Sequence, residues 1–424
     1  MDSFVINGPS KLKGSVDISG SKNAALPIMV SCIACPGKYT LKNVPNLRDT
    51  RTIIKLLEII GATIIKNNNC IIIDSTKCDN PVAPYSLVKT MRASFYVLGP
   101  LLSRFQTAKV SLPGGCAWGP RPVDFHIKAF RKMGASISLN KGYVIARGVL
   151  KGTTINFKIP SVGATGNVLM GCINLNEKVV IKNAAMEPEI QDLCNFLIKM
   201  GVKIKGIGTS QLIIQGKSSN KEKEHKIIHS IIPDRIEVGT FILASLMTKS
   251  KIKINKIYPE HIKSIISELS KIGVSIKVDS KNSITIIPNK KIKKTNVTTG
   301  VYPGFPTDMQ SQWTSLMTIS DGISTIQDTI YYDRFSHIPE LNRLGANIIL
   351  KDNIATINGV KKLVGTSVMC TDLRAGAALV LAALTAEGIT KISRIYHIDR
   401  GYEDFEIKLE KINVDIKRFN EKEG

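Results

Sequence analysis

The stretch Leu57-Glu58-Ile59-Ile60-Gly61-Ala62-Thr63-Ile64 reads as the last turn of an amphipathic helix, a glycine, and the opening of a strand. The same construction returns at Met133-Gly134-Ala135-Ser136-Ile137, Met200-Gly201-Val202-Lys203-Ile204 and Ile272-Gly273-Val274-Ser275-Ile276. It returns again at Leu344-Gly345-Ala346-Asn347-Ile348 and Ile412-Asn413-Val414-Asp415-Ile416. The turning residues stand at 61, 134, 201, 273, 345 and 413, so the spacings are 73, 67, 72, 72 and 68. A period near 70 residues, held through six copies, marks a chain built from one repeated supersecondary unit. Glycine, or once asparagine, is what a left-handed helix C-cap requires at that position.

Each cap leads into an alternating or β-branched strand. In most copies a polar turn and a second strand follow, as in Ile64-Ile65, then Asn67-Asn68-Asn69, then Ile71-Ile72-Ile73. Before the amphipathic helix lies another strand, such as Lys109-Val110-Ser111-Leu112, and before that a more apolar helix, such as 93–102 or 375–384. The unit is thus α-β-α-β-β with an extended lead-in. The sixth copy runs out after Ile416, and a candidate for its missing strand lies at the front of the chain. There, Ile6-Asn7-Gly8-x-x-Lys11-Leu12-x-Gly14 matches Ile357-Asn358-Gly359-x-x-Lys362-Leu363-x-Gly365. The expected architecture is two α/β domains of three units each, one spanning 22–232 and carrying the Cys116 loop, the other made of 1–21 with 233–424. Crossings fall near residue 21 and near 229–234, and a small-molecule site between the two halves is expected.

The 424 residues, 43% hydrophobic and 22% charged, have the composition of an ordinary globular protein with room for about two to three domains. No apolar run reaches the ~18 residues of a membrane span. The opening Met1-Asp2-Ser3-Phe4 lacks a basic-then-apolar secretory signal, so a soluble cytoplasmic protein with no membrane partner is expected. A net charge of +24 raises the question of nucleic acid. The basic residues are scattered among isoleucines and asparagines, and only 6% of the chain is aromatic, so a nucleic-acid partner is not expected. Eight cysteines are too sparse for a disulfide framework. Cys32 and Cys35 sit in an apolar helical stretch with no second pair, and His225 and His229 lack a third ligand, so no metal site is expected.

The repeat aligns six junctions where a polar loop enters an apolar helix. They are Ser19-Gly20-Ser21-Lys22-Asn23, Lys89-Thr90-Met91-Arg92-Ala93-Ser94 and Ser161-Val162-Gly163-Ala164-Thr165. The other three are Asp234-Arg235-Ile236-Glu237, Phe305-Pro306-Thr307-Asp308-Met309 and Thr371-Asp372-Leu373-Arg374-Ala375. Helix N-termini favour anions, and Lys22, Arg92, Arg235 and Arg374 add cations at four of the six. One such charge is ordinarily a solvated first-turn residue, whereas four at equivalent places point to an anionic ligand. Asp308 breaks the pattern and suits a base among cations.

The loop Pro113-Gly114-Gly115-Cys116-Ala117-Trp118-Gly119-Pro120-Arg121-Pro122-Val123-Asp124 reads as a long mobile connector. Cys116 close to Arg121 suits thiolate or proton-transfer chemistry, an inert surface cysteine being the plain alternative. In another unit, His397-Ile398-Asp399-Arg400-Gly401-Tyr402-Glu403 forms a charged loop at the place the Cys116 loop has in its own, which makes Arg400 and Arg121 pseudo-equivalent.

Residues 19–26, 89–94, 114–124, 161–165, 305–310, 371–375 and 394–403 resemble segments of the UDP-N-acetylglucosamine enolpyruvyl transferases, the family that opens peptidoglycan synthesis. The likeness spans essentially the whole chain. The cysteine loop is specific to that family; the shikimate-pathway enolpyruvyl transferases share the fold and lack it. The resemblance implies two inside-out α/β barrels of three βαβαββ units each, phosphoenolpyruvate and UDP-N-acetylglucosamine as substrates, and no cofactor or metal. It implies phosphoenolpyruvate binding by Lys22, Asn23, Arg121, Arg374 and Arg400, with Lys22 and Arg400 also catalytic. Cys116 matches the family's proton donor, which forms a covalent adduct with phosphoenolpyruvate and is alkylated by fosfomycin. Asp308 matches its general base. For the nucleotide sugar the resemblance points to Asn23, Arg92, Arg121, Pro122, Val123, Asp124, Phe125, Ser161, Val162, Asp308 and Ile330. Trp118 stands where a smaller aliphatic residue is expected, and Ile159-Pro160 where some members place a lysine. A non-catalytic nucleotide-sugar binder would be expected to lack Cys116, Asp308 or an anion-binding arginine, and all are present.

Overall fold

The helix Arg48–Ile60 buries Ile53, Leu56, Leu57 and Ile60 along one stripe and ends at Gly61, whose φ is +106°. There the Gly61 N–H donates to the Glu58 carbonyl and the Ala62 N–H to the Leu57 carbonyl, closing the last turn. Gly134, Gly201, Gly273, Gly345 and Asn413 all repeat this left-handed turn, a region that costs a side-chain-bearing residue about 1 kcal/mol. The six-fold pattern in the sequence is therefore a backbone requirement met six times.

The computed structural model describes residues 2–89, 91–112, 123–217, 225–289 and 291–420. The chain divides into two units, Gly20–Ile232 and Met1–Ser19 with Pro233–Gly424, each with its own hydrophobic core. At the centre of the Gly20–Ile232 unit lie the helices Lys22–Ser31, Leu98–Phe105 and Val162–Gly171. The equivalent helices of the other unit are Arg235–Met247, Gln310–Met317 and Leu373–Ala383. These six are buried on nearly all sides, unlike Arg48–Ile60, which shows water one polar face. Close packing at the centre needs small residues: a β-carbon on Gly99 would stand 2.2 Å from the Asn167 carbonyl oxygen.

Among the described residues there are six four-stranded sheets, three to a unit, with one shared strand order. In one of them Val82–Ala83 runs parallel to Thr107–Ser111, which pairs antiparallel with Tyr143–Arg147, itself the far strand of a hairpin with Ser136–Asn140. In the last sheet the same place is taken by Asp2–Gly8. It lies between Gly388–Ser393 and Ile416–Asn420, with Ile6 opposite both Thr390 and Ile416. The lead-in strands of the first copy in each unit also come from a distant part of the chain. His225–Ser230 runs beside Gly37–Lys42, and Ser15–Asp17 beside Ile252–Asn255.

Two local expectations need correction. Residues 93–102 do not form one helix: a 3-10 turn, Arg92–Val97, precedes a helix that starts at Leu98, and Pro100 falls within its first turn, where no N–H is required. The segment read as a charged loop contains a 3-10 helix, Ile395–Arg400. Cys32 and Cys35 are buried, and His229 is buried against Asp192 at 3.0 Å. Among the described residues no helix is long and apolar enough to cross a membrane.

Candidate active site

In the Gly20–Ile232 unit, Lys22 is the first residue of a central helix and keeps its ammonium 3.4 Å from Asp49 Oδ2. Asp49 lies in the first turn of the next helix with only 5% of its side chain exposed, so Lys22 is aimed by a buried carboxylate and not left free to sweep solvent. Asn23 follows, half-buried. Ser161 is the N-cap of Val162–Gly171, its hydroxyl accepting from the Ala164 N–H, with Val162 half-buried at the first helical position. Val123 and Asp124 open the helix Asp124–Lys132, where Asp124 pairs with Lys128 at 2.9 Å, and Phe125 packs on Phe157. Arg92 begins the 3-10 turn of its unit. Cys116, Arg121 and Pro122, with Trp118, lie outside the described residues, as does Thr90.

One buried residue near Ser161 carried no signal in the sequence. His126 sits 2.9 Å from the Asn167 side chain, and a β-carbon on Gly163 would stand 3.2 Å from its ring.

In the other unit one carboxylate lies between two guanidinium groups. Asp308, in the 3-10 turn Thr307–Met309, holds Arg374 Nη2 at 2.8 Å on one oxygen and Arg334 Nη1 at 2.8 Å on the other. A quarter of the Asp308 side chain is exposed, whereas Arg374 is 2% exposed. Burial opposes the charge on Arg374, yet the adjacent Asp308 carboxylate outweighs it and holds the guanidinium more firmly protonated than usual. Arg374 Nη1 lies 3.4 Å from the Tyr402 hydroxyl, which in turn meets Thr240 and Gln312. Arg334 also donates to Thr307, and Thr307 to the fully buried Asp328. Asp328 accepts from the backbone N–H groups of Ile330 and Tyr331, which fixes the turn that presents Ile330, 38% exposed. Arg400 ends the 3-10 helix Ile395–Arg400 and is half-buried.

Arg334 was missed by sequence reasoning. It stands in an irregular stretch, outside every junction that the repeat aligns, and only the fold brings it to Asp308. Two of the helix N-termini expected to favour anions are capped from within the chain. Asp372 accepts from the N–H groups of Arg374 and Ala375, and Asp234 from those of Ile236 and Glu237. These two helix N-termini are already occupied by a carboxylate of this chain, the usual N-cap solution, so they are not open anion sites. Arg235 lies over the Tyr302 ring.

His337 was equally invisible. It is fully buried, stacked on Phe335, with neither ring nitrogen hydrogen-bonded, and it faces Asp372 and Arg334. Burial pushes its imidazole down to about 4. Because the native pKa is below the unfolded one, the unfolded chain binds a proton that the native protein refuses between pH ~6.5 and ~4. Stability of this unit should therefore fall by about 3 kcal/mol as pH drops through that window. Urea unfolding at pH 7.5, 6, 5 and 4.5 checks this, and His337→Gln should remove that part of the slope whatever it does to stability at neutral pH.

The sequence profile of the family described as EPSP synthase (3-phosphoshikimate 1-carboxyvinyltransferase) matches residues 6–409. The chain belongs to the EPSP synthase family of enolpyruvyl transferases. Among members of this family, the UDP-N-acetylglucosamine 1-carboxyvinyltransferase of Chlorobium limicola is 46% identical over 427 residues, covering 100% of both chains. The enzyme of the same name from Geotalea daltonii is 48% identical over 422 residues, covering 99% of this chain and 100% of its own. The same fold is found in the enolpyruvyl transferase NikO of Streptomyces tendae, with TM-score 0.88, 24% identity and 98% of each chain covered. An EPSP synthase from Acinetobacter baumannii matches with TM-score 0.77 and 15% identity over 99% of this chain and 100% of its own.

Proposed function

We propose that this protein transfers the enolpyruvyl group of phosphoenolpyruvate to the 3′-hydroxyl of UDP-N-acetylglucosamine, releasing phosphate, as the first committed step of peptidoglycan synthesis in the cytoplasm. The observation that carries this reading is similarity over the full length, at 46–48% identity, to enzymes named for that reaction. The alternative, a shikimate-pathway transferase, is disfavoured by 15% identity to the Acinetobacter EPSP synthase and by the Cys116 loop in the sequence. A role in cell-wall formation, cell shape and division would follow from the same reaction.

In the proposed reaction Cys116 delivers a proton to the methylene carbon of phosphoenolpyruvate while the sugar hydroxyl oxygen bonds to the adjacent carbon. Asp308 takes the hydroxyl proton. The resulting tetrahedral adduct then loses phosphate, and a proton from its new methyl group returns to the Cys116 thiolate, which restores the double bond on the product. Two guanidinium partners support an ionised Asp308 able to accept a proton as the hydroxyl becomes acidic during attack. Lys22, Arg121 and Arg400, with Arg374 in support, would balance the phosphate and carboxylate charges, which grow on the leaving group. Asn23, Arg92, residues 121–125, Ser161, Val162 and Ile330 are proposed to hold the nucleotide sugar.

The test is phosphate release from phosphoenolpyruvate with UDP-N-acetylglucosamine, with and without fosfomycin, beside a shikimate 3-phosphate control. Release that needs the nucleotide sugar and stops on alkylation by the drug is the expected result. Release with shikimate 3-phosphate alone would overturn the substrate assignment, and no release from folded protein would leave a non-catalytic binder.

A further inference from the structure

Arg400 sits in a short segment in which Asp399, Tyr402 and Glu403 are each hydrogen-bonded to a residue outside it. The segment is bounded by two non-glycine residues in the left-handed region, Arg394 and Asp404, so its backbone path is tightly specified. On the C-terminal side of Arg400 the anchors are buried. A β-carbon on Gly401 would stand 2.6 Å from Leu373, the Tyr402 hydroxyl meets Thr240 at 2.8 Å, and Glu403 accepts from the Ser19 hydroxyl at 2.6 Å. On the N-terminal side the anchor is Asp399, and it is gripped by an arginine from a strand 19 residues further along the chain. Arg418, on Ile416–Asn420, donates to both oxygens of Asp399, Nη1 at 3.1 Å and Nη2 at 2.6 Å. Its Nη1 also reaches Glu406 at 2.9 Å and its Nε reaches Asp2 at 3.0 Å.

This arrangement is poorly explained as a surface ion pair holding strands together. Such pairs contribute little, and Arg418 is 31% exposed. Three carboxylates converge on one guanidinium, so without Arg418 they would repel one another, and Asp399 would be driven out of its place beside Arg400. The two-pronged contact to Asp399 also uses the planar fork that arginine has and lysine lacks.

We infer that Arg418 is a positioning residue for the proposed reaction: through its forked contact to Asp399 it fixes the peptide that carries Arg400. This rests on the reading that Arg400 contacts phosphoenolpyruvate. Asp2 and Asp399 share the same arginine, but only Asp399 adjoins Arg400, and that difference separates positioning from simple stabilisation.

The experiment is steady-state kinetics with phosphoenolpyruvate varied at saturating UDP-N-acetylglucosamine, alongside thermal melting. Asp399→Asn and Arg418→Met should raise KM for phosphoenolpyruvate by roughly tenfold and lower kcat with it, because a displaced Arg400 loses both the bound substrate and the charge growing on the leaving phosphate. Arg418→Lys should fall between Arg418→Met and the parent, and Asp2→Asn should leave KM within about twofold of it while lowering the melting temperature as much as Asp399→Asn does. Arg400→Gln should cut kcat/KM by roughly 100-fold or more. If Arg400→Gln is harmless, or the parent shows no turnover, the reading of Arg400 fails and the inference with it. If Arg400→Gln is crippling but Asp399→Asn behaves like Asp2→Asn, the positioning role alone is overturned. Should Arg418→Met not fold, the two aspartate variants decide the matter by themselves.

Discussion

If Asp308 is the base of the proposed reaction, Asp308→Asn should lower kcat by roughly 10²–10⁴-fold in the phosphate-release assay, the range expected when a general base is lost. The substitution keeps the shape and one acceptor oxygen, so the contact to Arg374 or to Arg334 survives while proton acceptance does not. A group used only in the transition state lowers kcat and kcat/KM together, and KM for either substrate should move little. Retention of kcat within about tenfold of the parent would remove Asp308 from the chemistry and leave it a clamp for two arginines.

A second large effect concerns stability, and its size depends on which partner is removed. Asp308→Ala leaves Arg374 charged at 2% exposure, with Nε already lacking a partner and only a long contact to Tyr402 remaining. An uncompensated buried charge of this kind costs about 3–5 kcal/mol. Arg374→Met is milder, because Asp308 keeps Arg334 and is a quarter exposed to water. The double variant Asp308→Ala with Arg374→Met should therefore be more stable than Asp308→Ala alone, by at least ~1 kcal/mol of coupling. The fully buried Trp313 lies in this unit, so urea unfolding can be followed by its fluorescence in a Trp118→Phe background, where it is the sole tryptophan. Equal stabilities for the single and double variants would mean that water reaches Arg374 once Asp308 is gone.

The parts of the fold that could be read in the sequence are those where the backbone itself restricts the residue. The helix caps at Gly61 and Asn413 are legible because a left-handed turn excludes most side chains. The displaced strand at residues 2–8 is legible for a related reason. A β-carbon on Gly8 would stand 2.4 Å from the Ala386 carbonyl oxygen, and one on Gly359 would stand 1.8 Å from that of Ser320. Both positions face the same steric restriction, so the two segments look alike. Asp308 was visible as the acid among basic junctions. Arg334, His126 and His337 were not, because their roles come from neighbours brought in by folding and leave no local pattern. The helix N-termini at Arg235 and Leu373 were misjudged as open to anions, because spacing does not reveal whether Asp234 and Asp372 turn inward to cap their own helices.

The strand Asp2–Gly8 has a consequence for how the protein is made. Its partners, Gly388–Ser393 and Ile416–Asn420, leave the ribosome about four hundred residues after it, which at ~5–20 residues per second means a wait of roughly 20–80 s. The Gly20–Ile232 unit has all its strands once Ser230 has emerged, and it can fold during that interval. Meanwhile Phe4 and Ile6, both fully buried in the finished sheet, stay on a nascent strand with two unpaired edges. Slowing translation would lengthen that exposure, whereas joining this strand directly after Ile416–Asn420 by circular permutation would abolish it.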